Sequence, residues 1–490
     1  MASPTTGVEG FGKAPQADAR NRLVRWLVPI GLGIIILLIP RPDGLTPAAW
    51  HYFALFAAVI AALITEPIPG PALGFMGVSA AAVLVLVGKT PAEAMRWALS
   101  GFSNDTVWLI FAATMFAAGY EATGLGRRIA LLLVKGLGQK TLGLGYAIAI
   151  ADLVLAPFMP SNTARSGGTI YPVVKNIPGL YDSSPTKNPR KIGAYLCWTA
   201  FMTTCVTSAM FLTGMAPNLL ACELAKKIAH VEVTWTSWMM GFLPCGLLMF
   251  LATPLLVYLI YPPEIKEGGE VAKWAGAELT AMGPISRREI TMALLAGLAL
   301  VAWIFGARWI AAVTVALAVI SLMILTKVVS WNDIMQNKQG WNILVWFATL
   351  VTMAEGLSQV GFLVWFAKRS AAALAGIPMV PMMVALIALF FFVHYLFAST
   401  SAHTAAVLPV FLAAIVTVNG LPVKPVTLML IYSIALQGVL TPYATGPAPI
   451  WYSAGYISTK DFWRLGFIFG VFYLSIILLV GLPYVLRFMR

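Results

Sequence analysis

Two short polar stretches, FMPSNTAR at residues 158–165 and FASTSAHT at residues 397–404, lie inside long apolar sequence. We name them the first tip and the second tip. Ser161 and Ser399, which open their polar parts, are 238 positions apart, and two of the next three positions match at the same offset. Polar groups in apolar surroundings are costly unless they find partners, so these stretches require an explanation.

A second pair of motifs follows the tips in the same order. TGMAPN at residues 213–218 is the first break, and TGPAP at residues 445–449 is the second break. Their opening threonines are 232 positions apart, close to the offset of the tips. Small and polar residues help helices to pack, which explains one such motif but not an ordered set of four. The sequence therefore predicts two structurally repeated halves.

The composition indicates which solvent surrounds these motifs. Of 490 residues, 60% are hydrophobic and 10% are charged, and the mean hydropathy is +0.85. A soluble domain carries about 25% charged residues, so this chain cannot cover a water-exposed surface. Its apolar runs are continuous, which disfavours a transmembrane β-barrel. The sequence predicts an all-α polytopic membrane protein with about 11 transmembrane helices.

Thirteen apolar runs predict helices, some of which stop inside the bilayer: 24–40, 48–65, 71–88, 104–123, 142–158, 192–215, 238–261, 289–305, 308–326, 341–357, 379–397, 425–443 and 463–486. Two shorter stretches, 126–138 and 364–376, mix basic and apolar residues. They predict amphipathic helices at the membrane interface.

The chain divides into four parts by composition. We predict a disordered cytosolic tail at 1–21, a first half at 22–261 with a re-entrant hairpin near 152–177, a polar linker at 262–288, and a second half at 289–490 with an inverted-repeat hairpin near 390–418. The net charge of +13 comes from basic residues that flank apolar runs, which indicates a cytoplasmic N-terminus and no nucleic-acid partner. The four cysteines form no CxxC pair and predict no metal site.

Each tip is predicted to be a helix break followed by a new helix. Pro157 and Pro160 end the incoming helix, and Ser161, Asn162 and Thr163 are residue types that cap a helix start. Such a start exposes free N–H groups that attract anions, so two facing tips can hold a molecule with two carboxylates. Unwound carbonyls in the breaks can coordinate a cation beside each tip. The pattern predicts the site of a secondary transporter.

Two basic residues lie within the tips. Arg165 is a candidate partner of a substrate carboxylate, and the alternative is a structural pair with Asp152 or Glu121. His403 is a candidate donor to a carboxylate, and the alternative is a hydrogen-bonded core histidine. The other histidines, at positions 51, 230 and 394, form no cluster in the sequence, so we expect structural roles for them.

At the two tips the sequence resembles the divalent anion/sodium symporter family, and the similarity covers nearly the whole chain from about residue 24. It is most specific over residues 159–175 and is greatest to the exchanger branch, with plastid 2-oxoglutarate/malate translocators and bacterial citrate/succinate and tartrate/succinate antiporters. The resemblance implies an inverted-repeat homodimer. Each protomer would have a scaffold domain and a transport domain that moves like an elevator.

The resemblance also implies which residues bind. With Arg165 and His403, the expected substrate-binding residues are Ser161, Asn162, Thr163, Ser399, Thr400, Ser401, Pro217 and Pro449. A sodium site is expected near Ser161, Asn162 and Gly214, and a second one near Thr445 is in doubt. Sodium-coupled members have asparagine where this chain has Thr400, and threonine offers only a hydroxyl in place of a carboxamide. This departure favours sodium-independent exchange.

We expect a secondary transporter of di- or tricarboxylates of the malate, succinate, 2-oxoglutarate and citrate class, acting as an anion exchanger. One alternative is a sodium-coupled dicarboxylate symporter. Another is a membrane-embedded hydrolase, but the sequence has no HExxH motif, and its Gly-Lys-Thr at 88–90 lacks the first glycine of a P-loop. We therefore expect no enzyme activity and no cofactor beyond sodium, in an integral protein of the bacterial inner membrane.

Overall fold

The computed structural model describes residues 19–306, 308–374 and 376–489. Most of the tail predicted at 1–21 lies outside these residues. Within them every regular element is helical, and the single β-bridge joins Lys140 to Glu267. The prediction of an all-α protein is confirmed. The number of helices that cross a membrane stays a prediction.

The first half and the linker contain twelve of the helices in the described residues. They are α1 (Ala19–Leu38), α2 (Pro47–Thr65), α3 (Gly70–Val83), α4 (Pro91–Ser100), α5 (Asp105–Thr123), α6 (Leu125–Leu137), α7 (Thr141–Leu155), α8 (Tyr171–Val174), α9 (Gly193–Met210), α10 (Ala216–Ala229), α11 (Trp235–Ile260) and α12 (Gly269–Ala281).

The second half contributes eleven more within the same described ranges. They are α13 (Arg287–Phe305), α14 (Ala312–Leu325), α15 (Trp331–Gln336), α16 (Lys338–Gln359), α17 (Phe362–Leu374), α18 (Met379–Val393), α19 (Thr400–Ile415), α20 (Val423–Leu436), α21 (Pro447–Ser453), α22 (Thr459–Ile476) and α23 (Leu482–Phe488).

Within the part of the chain that the structure describes, six helical segments are long and apolar enough to cross a membrane: Pro47–Thr65, Trp235–Ile260, Arg287–Phe305, Lys338–Gln359, Met379–Leu396 and Thr459–Phe488. Each of the thirteen apolar runs overlaps a helix, and α6 and α17 form at the two predicted amphipathic stretches. The sequence does not predict α4, α10, α12 and α15, because charged and polar residues interrupt their apolar runs.

Two pairs of helices carry the tips. In the first, α7 ends before the tip and a helical arm, partly π-helical, runs from residue 162 to 174; in the second, α18 leads to the tip and α19 leaves it. α7 has 15 residues, or about 22 Å at 1.5 Å per residue, which is less than the bilayer core of about 30 Å. α18 also has 15 residues, and a 3-10 turn extends this helical segment to Leu396. Both begin earlier than the predicted hairpin bounds, at Thr141 and Met379.

The linker is more ordered than its polar composition suggests. It contains α12, which packs against the amphipathic helix α6. Two ion pairs join α6 to α12 and to α13. Arg128 Nε lies 2.5 Å from Glu289 Oε1 with both side chains almost fully buried, whereas Arg127 Nη2 lies 2.6 Å from Glu278 Oε2 at the surface. Glu289 also accepts a hydrogen bond from the Ser286 N–H in the capping box that starts α13.

The substitution Glu289→Ala is expected to lower the free energy of unfolding by about 3–5 kcal/mol, because it leaves the Arg128 charge buried without a partner. The matched control is Glu278→Ala, which removes an exposed partner and is expected to cost less than about 1 kcal/mol. Thermal unfolding of the purified protein in detergent measures both. Equal shifts in the two variants would contradict a structural role for the buried pair.

Candidate functional site

The two tips have the same local structure. The Ala164 N–H donates to Ser161 Oγ over 3.2 Å, and the Ala402 N–H donates to Ser399 Oγ over 3.4 Å. Both serines therefore cap the helix that leaves their tip, which satisfies one of its free N–H groups. Capping by Ser161 is as predicted, and the second half repeats it at the matching position.

The residue after each of these alanines is basic. The Arg165 N–H donates to the Ser161 carbonyl over 2.9 Å, and the His403 N–H donates to the Ser399 carbonyl over 3.0 Å. Both side chains have no exposed surface. The two halves thus place a buried basic side chain at equivalent positions, one helical turn after the capping serine in the sequence.

The first tip contacts both breaks. The Asn162 Nδ2 donates to Thr445 Oγ1 of the second break over 3.0 Å. Beside it, Gly446 lies so close to Thr163 that a Cβ at this glycine would overlap the threonine hydroxyl. On the other side, the Ala216 N–H of the first break donates to the Pro160 carbonyl over 2.8 Å. Residues from both halves therefore meet around the first tip.

Arg165 holds the first tip and the first break together. Its Nη1 donates to the carbonyls of Met159 and Gly214 over 2.7 and 2.8 Å. Its Nη2 donates to Ser208 Oγ over 2.7 Å, and its Nε lies 3.2 Å from Asp152 Oδ2. These partners take up most of the guanidinium donors.

Asp152 is in turn held by α9. Its Oδ1 accepts a hydrogen bond from Thr204 Oγ1 over 3.0 Å, and its Oδ2 accepts one from the Thr207 hydroxyl. Both oxygens of this buried carboxylate therefore accept hydrogen bonds from neighbouring side chains. The geometry favours the structural pair with Asp152, one of the two roles that the sequence left open for Arg165. Direct contact between Arg165 and a substrate stays a prediction that no contact here supports.

His403 is also held by internal partners. Its Nδ1 lies 2.9 Å from His394 Nδ1, and His394 Nε2 lies 2.9 Å from the Ala444 carbonyl, next to the second break. A carbonyl only accepts, so for neutral rings the proton sits on His394 Nε2, and His403 donates to His394. The sequence does not group His394 with another histidine, but the short 3-10 turn after α18 places it beside His403. The geometry favours the core-histidine alternative for His403.

Two cavities adjoin the tips. One, of about 260 Å³, is lined by Ser161 and Ala164 of the first tip. The other, of about 840 Å³, is lined by Ser399 and Ala402 of the second tip. Gln339 lines both cavities, so the two tips open on either side of this one side chain.

Gln339 belongs to α16, which carries neither a tip nor a break. Its Nε2 lies 3.4 Å from Ser161 Oγ. Gln339 was not predicted as a site residue, because the predicted residues are polar groups within apolar sequence and Gln339 precedes the run at 341–357. The only available signal was the polar triplet Asn337-Lys338-Gln339 just before that apolar run.

The remaining predicted substrate-binding residues lie in α19, α10 and α21. Thr400 is buried, Ser401 is half-buried, and both lie in the first turn of α19. Pro217 is buried at the start of α10, and Pro449 is exposed within α21. None of the four lines either cavity among the described residues. Their contact with substrate stays a prediction.

The substitution Asp152→Leu is expected to lower the free energy of unfolding by about 3–5 kcal/mol, because Arg165 is then a buried charge without a counterion. Adding Arg165→Met should recover much of that loss, since removal of both charges is often nearly neutral. Thermal unfolding of the single and double variants measures the coupling. A double variant that loses as much as the sum of both single changes would contradict a paired role.

Known proteins match this chain over nearly its full length. A family model described as the sodium:sulfate symporter transmembrane region matches residues 20–489. The chain is 48% identical over 478 residues to the citrate/succinate antiporter of Escherichia coli (strain K12), covering 95% of this chain and 98% of the relative. It is 47% identical over 471 residues to the L-tartrate/succinate antiporter of Shigella sonnei (strain Ss046), covering 94% and 97%.

Two solved structures share the fold at low identity. The YdaH transporter of Alcanivorax borkumensis has a TM-score of 0.57 and 14% identity, covering 86% of this chain and 99% of that one. The MtrF protein of Neisseria gonorrhoeae has a TM-score of 0.50 and 13% identity, covering 95% and 94%. The fold is therefore that of known transporters. The match over nearly the whole chain shows that the protein belongs to the sodium:sulfate symporter family, the divalent anion/sodium symporters that its tips resemble.

Proposed function

We propose that the protein exchanges di- and tricarboxylate anions across a membrane. The observation that carries this is the convergence of two serine-capped tips on cavities that meet at Gln339. Two helix starts that open on either side of one side chain suit an anion with two separated carboxylates. Relatives named for citrate, succinate and tartrate support carboxylates as the class of anion.

Each tip would bind one carboxylate through backbone and side-chain donors. In the first tip these are free N–H groups of the new helix together with Ser161, Asn162 and Thr163. Ser399, Thr400 and Ser401 would do the same in the second tip. The prolines Pro217 and Pro449 lie in the first turns of α10 and α21, the helices that begin in the two breaks.

We infer that exchange does not need sodium. Sodium was expected beside the Gly214 carbonyl, yet this carbonyl already accepts a hydrogen bond from Arg165. The Arg165 guanidinium, which is paired with Asp152, thus already occupies the position beside this carbonyl. At the other expected site, Thr445 Oγ1 accepts a hydrogen bond from Asn162. The residues present therefore do not fit a sodium ion well.

The wider architecture is proposed on the family resemblance. We propose a homodimer in a bacterial inner membrane with a cytoplasmic N-terminus. Each protomer would carry a transport domain, with both tips and both breaks, that moves like an elevator along a scaffold. The contacts of the first tip with both breaks support one rigid transport unit.

In proteoliposomes loaded with succinate, uptake of labelled succinate is expected to proceed at the same rate in sodium and in choline buffer. Liposomes without internal anion should show no uptake. The physical reason is that Arg165 is a permanent part of the tip, so an inward sodium gradient has no ion site to act on. Uptake into empty liposomes driven by a sodium gradient would instead establish the sodium-coupled symporter.

The substitution Asn162→Ala is expected to reduce succinate exchange by about tenfold or more, because a hydrogen bond to a charged group contributes roughly 1.5–3 kcal/mol. The matched control is Asn176→Ala. Asn176 is exposed and donates only to the Pro172 carbonyl, so exchange should be unchanged. Equal activities of both variants and the wild-type protein would remove the first tip from the binding site.

A further inference from the structure

The cavity at the second tip contains a cation that the proposed function does not use. Lys338, the first residue of α16, lines this cavity and is exposed. It forms no ion pair with any described residue. Glu66 lines the same cavity, but the two side chains do not pair. The Lys338 ammonium is therefore free to meet an anion.

Local contacts fix where Lys338 stands. The Asn337 side chain caps α16 by accepting a hydrogen bond from the Gly340 N–H over 2.8 Å. Trp341 Nε1 donates to the Ile334 carbonyl over 3.1 Å, which ties α16 to α15. These two hydrogen bonds hold the connection between α15 and α16 in place. The start of α16 is a rigid base for the side chains that it carries.

Lys338 and Gln339 lie in neighbouring parts of the site. Gln339 meets Ser161 at the first tip and separates the two cavities. Lys338 reaches only the larger cavity, where Ser399 opens the second tip. An anion bound between the tips would thus have the Gln339 amide beside its central atoms and the Lys338 ammonium to one side.

We propose that Lys338 binds the third carboxylate of tricarboxylate substrates. This inference rests on the proposed function, in which the tips account for two carboxylates. A third carboxylate has no partner at either tip and is costly to desolvate without one. Lys338 offers it a charge-assisted hydrogen bond in a cavity of about 840 Å³, which is within the range of small-molecule sites. Dicarboxylates do not need this contact.

The test is competition for exchange of labelled succinate by four unlabelled acids, in wild-type protein and in Lys338→Met. Citrate and tricarballylate carry three carboxylates, whereas succinate and malate carry two. In the variant, the concentrations of citrate and tricarballylate that halve exchange should rise about tenfold, and those of succinate and malate should not change. Tricarballylate lacks the hydroxyl of citrate and malate has one, so the four acids separate the third carboxylate from the hydroxyl.

Two further variants complete the test. Lys338→Arg keeps the charge and should keep inhibition by tricarboxylates. Lys89→Met removes an exposed lysine that lines neither cavity, and it should leave all four acids unchanged. An equal loss for di- and tricarboxylates in Lys338→Met would show a merely structural lysine and overturn the inference. An unchanged response to tricarboxylates would also overturn it.

Failure of this inference is distinguishable from failure of the proposed function. Wild-type protein that exchanges succinate but is not inhibited by either tricarboxylate keeps the proposed function for dicarboxylates and overturns the role of Lys338. Wild-type protein that exchanges none of the acids overturns both.

Discussion

Backbone groups at the end of a broken helix must find partners inside the protein, because lipid offers them no hydrogen bonds. The rest of this structure depends on how the tips meet that constraint. At the first tip, Arg165 donates to the carbonyls of Met159 and Gly214, and Asp152 balances its charge. One buried side chain thereby joins the end of the hairpin to the first break. The chain at this tip thus has a fixed conformation where the incoming helix has ended.

The second half meets the same constraint with different chemistry. His403 stands at the position that matches Arg165, but it acts through His394, which reaches the Ala444 carbonyl. An ion pair in one half thus corresponds to a pair of imidazoles in the other. In both halves the basic group faces away from the cavities, and the capping serine faces toward them. Repeated backbone geometry therefore does not require repeated side chains.

This arrangement suits the anion binding that we propose for the site. The buried basic residues fix the tips, so Ser161 and Ser399 do not have to be ordered by the ligand. Donors that are held in place before binding cost less entropy when the anion arrives. α16 adds Gln339 from outside the repeated motifs, and that residue makes the site asymmetric. An asymmetric site can distinguish the two ends of a carboxylic acid.

The sequence by itself determined the helical class, the four motifs and the capping serines, because these follow from hydropathy, proline positions and local hydrogen bonding. It also left the pair of Arg165 and Asp152 as an open alternative, since the two residues are close in the chain. Only the tertiary structure shows that this pair forms. It placed His394 against His403 across a helix break and brought Gln339 to Ser161 from 178 positions away. Contacts of that kind depend on how helices are arranged, and no local pattern of residues records that arrangement.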